Sequence, residues 1–179
     1  MNRGMANDYC IAAMNEQQAR KIVNWVYEPP YSIYNMTDDP EDIQEILDGT
    51  YFSVLSTEGE LVGFFCYGQN AQVPGGRSQG LYIGDDVLDI GLGMRPDLTG
   101  KGKGLGFVQA GLAFGQATYA PSGFRLTVAA FNQRAFILYT QAGFARTTSF
   151  LNKNGEMERE FIIMESTGES RCMSDKIEK

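Results

Sequence analysis

The chain has 179 residues, 43% of them hydrophobic and 12% aromatic, which is enough to close one sizeable core as a single domain. Its formal net charge of -7 argues against a nucleic-acid or anionic-membrane surface, because those partners select clustered Lys and Arg. With no histidine present, Ser-His-Asp and Cys-His catalysis and the commonest zinc sites are removed, and no metal is expected.

Cys10 to Met14 reads as a short first strand, followed by Asn15 and Gln18 at the spacing of a capping box. Ile22, Val23, Trp25 and Val26 give the ensuing helix an apolar side, and Glu28-Pro29-Pro30 ends it. Tyr27 to Met36 then sets three tyrosines beside two prolines in a loop before a helix at Pro40 to Leu47. Tyr51 to Ser56 and Leu61 to Gly68 flank the turn Thr57-Glu58-Gly59-Glu60 as an antiparallel hairpin. Gln69 to Asp85 reads as a long surface loop, and loops of that length are often functional.

A strand-like run, Val87 to Met94, leads through Arg95-Pro96 into a loop with glycine at 100, 102, 104 and 106, and then into a helix-compatible segment. That helix is apolar nearly all round and should be buried, with Gly111 and Gly115 allowing close approach to the sheet. Phe124 to Phe131 is β-rich and ends at Asn132, a good N-cap for a helix over Gln133 to Gln141 that Gly143 can terminate. Thr147 to Leu151 and Met157 to Met164 flank a turn at Asn152 to Gly155. Residues 1–164 are thus expected to form the domain and the polar residues 165–179 a tail.

Strand, glycine loop and helix in that order suit an anion. The first amides of a helix lack intrahelical partners and carry the positive end of the macrodipole, and glycines let a pyrophosphate approach the backbone. Two nucleotide loops fail letter by letter. Lys101 and Lys103 are each followed by glycine, and neither Gly-Lys has a glycine five places earlier, so there is no Walker A loop; Gly-x-Gly-x-x-Gly started at Gly102 would need glycine where Phe107 stands.

What remains, Pro96 to Gly104, resembles the pyrophosphate loop of the GNAT superfamily of N-acetyltransferases, Gln/Arg-x-x-Gly-x-Gly/Ala at the end of a strand. Thr99 stands where the family has Gln or Arg. Downstream, Asn132 to Phe144 is similar to the family's Asn-x-x-Ala-x-x-x-Tyr-x-x-x-Gly-Phe segment, and the two together are far more specific than either.

The resemblance, covering roughly Cys10 to Met164, implies an α/β (α+β) fold with a mixed, mostly antiparallel sheet, splayed central strands and helices on both faces. It further implies acetyl-CoA as co-substrate, an amine acceptor of small-molecule or protein origin, and direct attack in a ternary complex. By position it assigns Leu92, Gly93, Met94 and Asn132 to the pantetheine arm, and Thr99, Gly100, Lys101, Gly102, Lys103 and Gly104 to the pyrophosphate. Tyr139 matches the family's general acid toward the thiolate, and Tyr31 and Tyr34 fall in the region that walls the acceptor pocket. Asp89 is the expected base, with Asp86, Asp85, Glu28 or a water relay left open.

The replaced Gln/Arg keeps a second reading alive, a catalytically silent acyl-CoA-binding module; a loop for another nucleotide is a third. The three cysteines show no C-x-x-C spacing, and no apolar run approaches a membrane span, so a reduced, cytoplasmic protein, monomer or homodimer, is the expectation.

Overall fold

The computed structural model of the chain describes residues 8–167. Seven strands form one sheet: β1 (Tyr9–Ala13), β2 (Tyr51–Ser56), β3 (Leu61–Tyr67), β4 (Val87–Met94), β5 (Gly123–Ala129), β6 (Ala145–Asn154) and β7 (Met157–Thr167), in the spatial order β1-β2-β3-β4-β5-β7-β6. Every neighbouring pair is antiparallel except β4 with β5, which run parallel. The crossover between those two needs a long connection, and α4 (Gly104–Tyr119) supplies it.

Alternation along β3 divides the core. Phe65 packs into a cluster with Ile90, Phe107, Leu126 and Met164 under α4. Its neighbours Phe64 and Cys66 point the other way, into a cluster with Ala19, Ile22, Ile43 and Ile46 from α1 (Glu16–Val23) and α2 (Pro40–Ile46). Burial pushes the Cys66 thiol up to about 12, so it behaves there as a small hydrophobe.

The capping box of α1 forms as its sequence predicts, with Asn15 and Gln18 exchanging side-chain to backbone bonds. The helix stops at Val23, however, five residues before Glu28. Asn24 turns its amide back to the Arg20 carbonyl, and Trp25 leaves the helix to stack on Phe64, with ring centroids 6.3 Å apart. Residues 69–85 also hold more order than a surface loop. A 3₁₀ turn at Gly68–Ala71 and the short α3 (Pro74–Ser78) pin the segment to the sheet, where Tyr82 bonds Thr127 at 2.7 Å.

α4 is buried along one face, at Phe107, Val108, Ala110, Gly111 and Gly115, rather than all round. Gly111 is required there, since an added Cβ would lie 2.5 Å from the Phe65 ring. β7 continues past Met164, pairing Glu165 with Arg125 and Thr167 with Gly123; the rest of the expected tail lies outside the described residues.

The feature that positions the site is an incomplete pairing. β4 and β5 are joined only from Val87 to Asp89 against Gly123 to Arg125. Beyond Asp89, β4 pairs only with β3 and β5 only with β7, so the two central strands separate and leave a V-shaped gap.

Candidate active site

The gap opens into a cleft of about 480 Å³, a volume typical of small-molecule sites. One side is formed by Ile90 to Met94 of β4 and the other by Leu126 to Val128 of β5. From Ile90 onward the edge of β4 that faces β5 has no strand partner, so an extended ligand can add to it as a strand would. Leu92, Gly93 and Met94 all line this edge. The Met94 carbonyl is already taken, accepting from the Tyr27 hydroxyl at 2.7 Å, and this bond ties the chain after α1 to the end of β4.

The glycine loop closes one end. Gly100 and Gly102 have φ of 72° and 76°, a left-handed region where a side chain is strained and through which a chain can turn its amides inward as an anion nest. No hydrogen-bond acceptor for the amides of residues 100–106 is present among the described residues, and the last of them begin the 16-residue α4. Such a loop is suited to a phosphate group. Gly100, Gly102 and Gly104 line the cleft, whereas the side chains of Lys101 and Lys103 are exposed outside it. Thr99 also lines it, yet its hydroxyl turns back to the Pro96 carbonyl at 2.8 Å.

α5 (Gln133–Gln141) forms the next wall. Asn132 caps it by accepting from the Ala135 amide at 3.1 Å, and donates from Nδ2 to the Tyr34 hydroxyl at 3.2 Å. A cap of this kind contributes about 1 kcal/mol, so buried Asn132 has a structural role besides any contact with a ligand. Two turns on, Tyr139 lines the cleft. Its hydroxyl bonds no group among the described residues, and no fully buried side-chain N or O there lacks a partner, so the oxygen is not sealed in the core and is left open on the side that lines the cleft. Burial of the ring raises the Tyr139 pKa above its ordinary value of 10, keeping the proton in place.

Sequence reasoning missed Arg134. Its guanidinium lies over the Tyr31 ring, 4.7 Å from the centroid, and beside Gly100, where it is the one charged side chain lining the cleft among the described residues. The signal lay between two motif residues, Asn132 and Ala135, at a spacing that sets it on the first turn of α5.

Asp89, expected as the base, stands off the cleft. It is 4% exposed. Arg125, 2% exposed, grips both carboxylate oxygens, at 2.6 Å from Nε and 2.7 Å from Nη2, and Gln72 donates to Oδ2 at 2.8 Å. Held by three donors on the last paired rung of the β4–β5 junction, this carboxylate clasps the two strands where they part. Asp85, Asp86 and Glu28 are exposed and also stand off the cleft. A hydrogen bond from Ser122 holds the Asp86 carboxyl below the usual carboxylate range. No Asp or Glu among the described residues lines the cleft.

The sequence pattern of the acetyltransferase (GNAT) family matches residues 17–144. This chain belongs to that family. No curated protein matches it. Among solved structures, a GNAT-family acetyltransferase from Bacillus anthracis is similar at 16% identity, with 91% of this chain and 96% of that one covered and a TM-score of 0.69. A dodecameric spermidine N-acetyltransferase from Vibrio cholerae is similar at 18% identity, with 90% and 94% covered and a TM-score of 0.63. At such identities the likeness shows the fold: the expected mixed, mostly antiparallel sheet with splayed central strands is the fold observed.

Proposed function

We propose that the protein is an acetyl-CoA-dependent N-acetyltransferase that moves an acetyl group to a primary amine by direct attack in a ternary complex. The observation that carries this reading is the meeting, in one cleft, of an unpaired strand edge, a loop of free amides and an unpartnered tyrosine hydroxyl. The amides of residues 100–106 would hold the pyrophosphate, with Arg134 supplying the positive charge that Thr99 does not. The free edge at Leu92, Gly93 and Met94 would hold the pantetheine arm, with Asn132 across the gap. When bound, acetyl-CoA supplies an activated acyl group and a thiolate leaving group.

Tyr139 would donate its proton to the departing sulfur, and the amine would lose one proton as its nitrogen becomes an amide, so the two transfers balance. With no carboxylate among the described residues in the cleft, the proton from nitrogen would leave through water and restore Tyr139. The acceptor therefore has to reach the site with its nitrogen unprotonated. The acceptors named for the neighbouring structures, spermidine among them, do not carry over on fold likeness.

A second reading, an acyl-CoA-binding module without turnover, is favoured by Thr99 at the Gln/Arg position and by the lack of a carboxylate base. Free thiol release from acetyl-CoA in the presence of a panel of amines separates the two. Amine-dependent thiol release supports transfer; tight acetyl-CoA binding with no thiol released above the amine-free rate supports the module.

A further inference from the structure

The cleft has two sides about the plane of the sheet. The glycine loop, Phe107 and Tyr139 lie on the face under α4 and α5. On the opposite face the wall is Ile22, Trp25, Tyr27, Met36 and Phe64, brought in from α1, the segment after it, and β3. If transfer proceeds as proposed, the phosphates sit at the loop and the thioester projects through the gap, so this second wall receives the acceptor.

Its chemistry is selective. Among the described residues it carries no carboxylate, although the chain as a whole has a net charge of -7. The buried carboxylate nearest in the chain, Asp89, is fully engaged by Arg125 and Gln72. The single charged side chain lining the cleft among the described residues is cationic, Arg134, and it stands beside Gly100 at the loop rather than on this wall. Aromatic faces could in principle hold an ammonium, but several here are already occupied: Trp25 stacks on Phe64, and Arg134 covers Tyr31. The Tyr27 hydroxyl spends its proton on the Met94 carbonyl. An ammonium group entering such a wall gives up its water without gaining a counter-ion, and each further cation repeats the loss. An apolar body, by contrast, gains contact with the whole surface.

We infer that the acceptor is a monoamine borne on an apolar, ring-sized body, and that polyamines and other polycations are rejected. This rests on the transfer reading of the same site.

The test uses the full chain with acetyl-CoA and two acceptors of ordinary amine basicity, 2-phenylethylamine and spermidine. Thiol release is followed for both, and binding of each to the CoA-loaded protein is measured by calorimetry. The expectation is that 2-phenylethylamine exceeds spermidine by roughly ten-fold or more in kcat/KM and in affinity, the scale on which apolar pockets discriminate. Equal or better binding of spermidine overturns the inference, whatever the turnover. Preferential binding of 2-phenylethylamine with no thiol release for either amine supports this acceptor class and sinks the transfer reading, so the two failures are distinct. Met36→Glu, at a partly buried loop position, places a carboxylate on the wall and should move the preference toward spermidine. Trp25→Ala should weaken 2-phenylethylamine while leaving the thermal shift on adding CoA unchanged. If both variants fold by that shift and neither moves the preference, this wall does not select the acceptor.

Discussion

On the α4–α5 side of the cleft the surface offered to a ligand is mostly main chain, in the amides of residues 100–106 and the unpaired edge of β4. On the α1 side it is side chain throughout, from Trp25, Tyr27, Met36 and Phe64. Main-chain recognition needs only glycines, a helix start and a strand that loses its neighbour, so it survives wide sequence change and suits a ligand that stays the same. Side-chain recognition is set by a handful of residues on separate elements, so it can be rewritten and suits a ligand that differs among relatives. The Asp89–Arg125 clasp stands at the apex where the sides meet and belongs to neither ligand.

The largest effect should come from that clasp. Asp89→Asn leaves the Arg125 guanidinium buried without a charge partner, a loss of roughly 3–5 kcal/mol of stability that urea denaturation can measure. The double variant Asp89→Leu, Arg125→Met should be less damaging than either single change, because no uncompensated charge remains. An Asp89→Asn protein as stable as the parent but without activity would return Asp89 to the role of base and break the division.

Next in size is Tyr139→Phe, which keeps a ring packed at 6.3 Å against Phe144 and deletes only the hydroxyl. The expected fall in kcat is roughly ten- to a thousand-fold at unchanged acetyl-CoA affinity, the usual range for a general acid. Full kcat, measured where chemistry limits turnover, would make the tyrosine a packing residue.

The same division explains what the sequence disclosed. The glycine loop and the Asn132–Tyr139 pair are contiguous or two turns apart on one helix, so spacing alone locates them, and the cap and the C-terminal Gly143 (φ 99°) form as read. The ion pair of Asp89 is not legible locally, because its partner sits 36 residues away, on a parallel strand whose register no local pattern records. A clue existed in Arg125, an arginine inside the apolar run Phe124 to Val128, since a cation buried in a strand needs a carboxylate opposite. Trp25 was assigned to a helix face because apolar spacing continues past Val23; Asn24 ends the helix by bonding its own preceding turn, and only the packed Phe64 shows where the indole goes. The wall on the α1 side collects single residues from several elements, which is why its composition is not legible in any one stretch of sequence.

A smaller effect sharpens the main-chain side. Gly104 is a poor place to probe the loop, because an added Cβ would lie 2.7 Å from Leu138 and disturb α4 against α5. Gly106 is exposed with no atom within 4 Å of the added carbon. Gly106→Glu should therefore leave the fold intact and set a negative charge beside the free amides, weakening acetyl-CoA by about 1 kcal/mol, roughly five-fold, with the loss shrinking as salt rises. The acceptor KM should not move. A change in acceptor KM at constant acetyl-CoA affinity would mean the loop serves the other ligand.

The smallest predicted effect is an absence on the side-chain wall. No carboxylate among the described residues lines the cleft, and the chain has no histidine. Burial raises the pKa of Tyr27 to about 12 and that of Tyr34 and Tyr139 above the ordinary 10. The sign follows: in the proposed reaction Tyr139 is needed protonated, so its raised pKa preserves the proton donor below about pH 10 and costs rate only above it. The amine is needed unprotonated, so rate rises with pH until the acceptor's own pKa is reached. Between pH 6 and 9 the kcat/KM profile should carry one ascending limb that belongs to the substrate. Exchanging an acceptor for an analogue whose amine pKa is lower by about two units, such as a fluorinated one, should slide that limb by the same amount. A limb that stays fixed while the acceptor changes would reveal a titrating protein base, and the wall would then hold a group that its residues do not show.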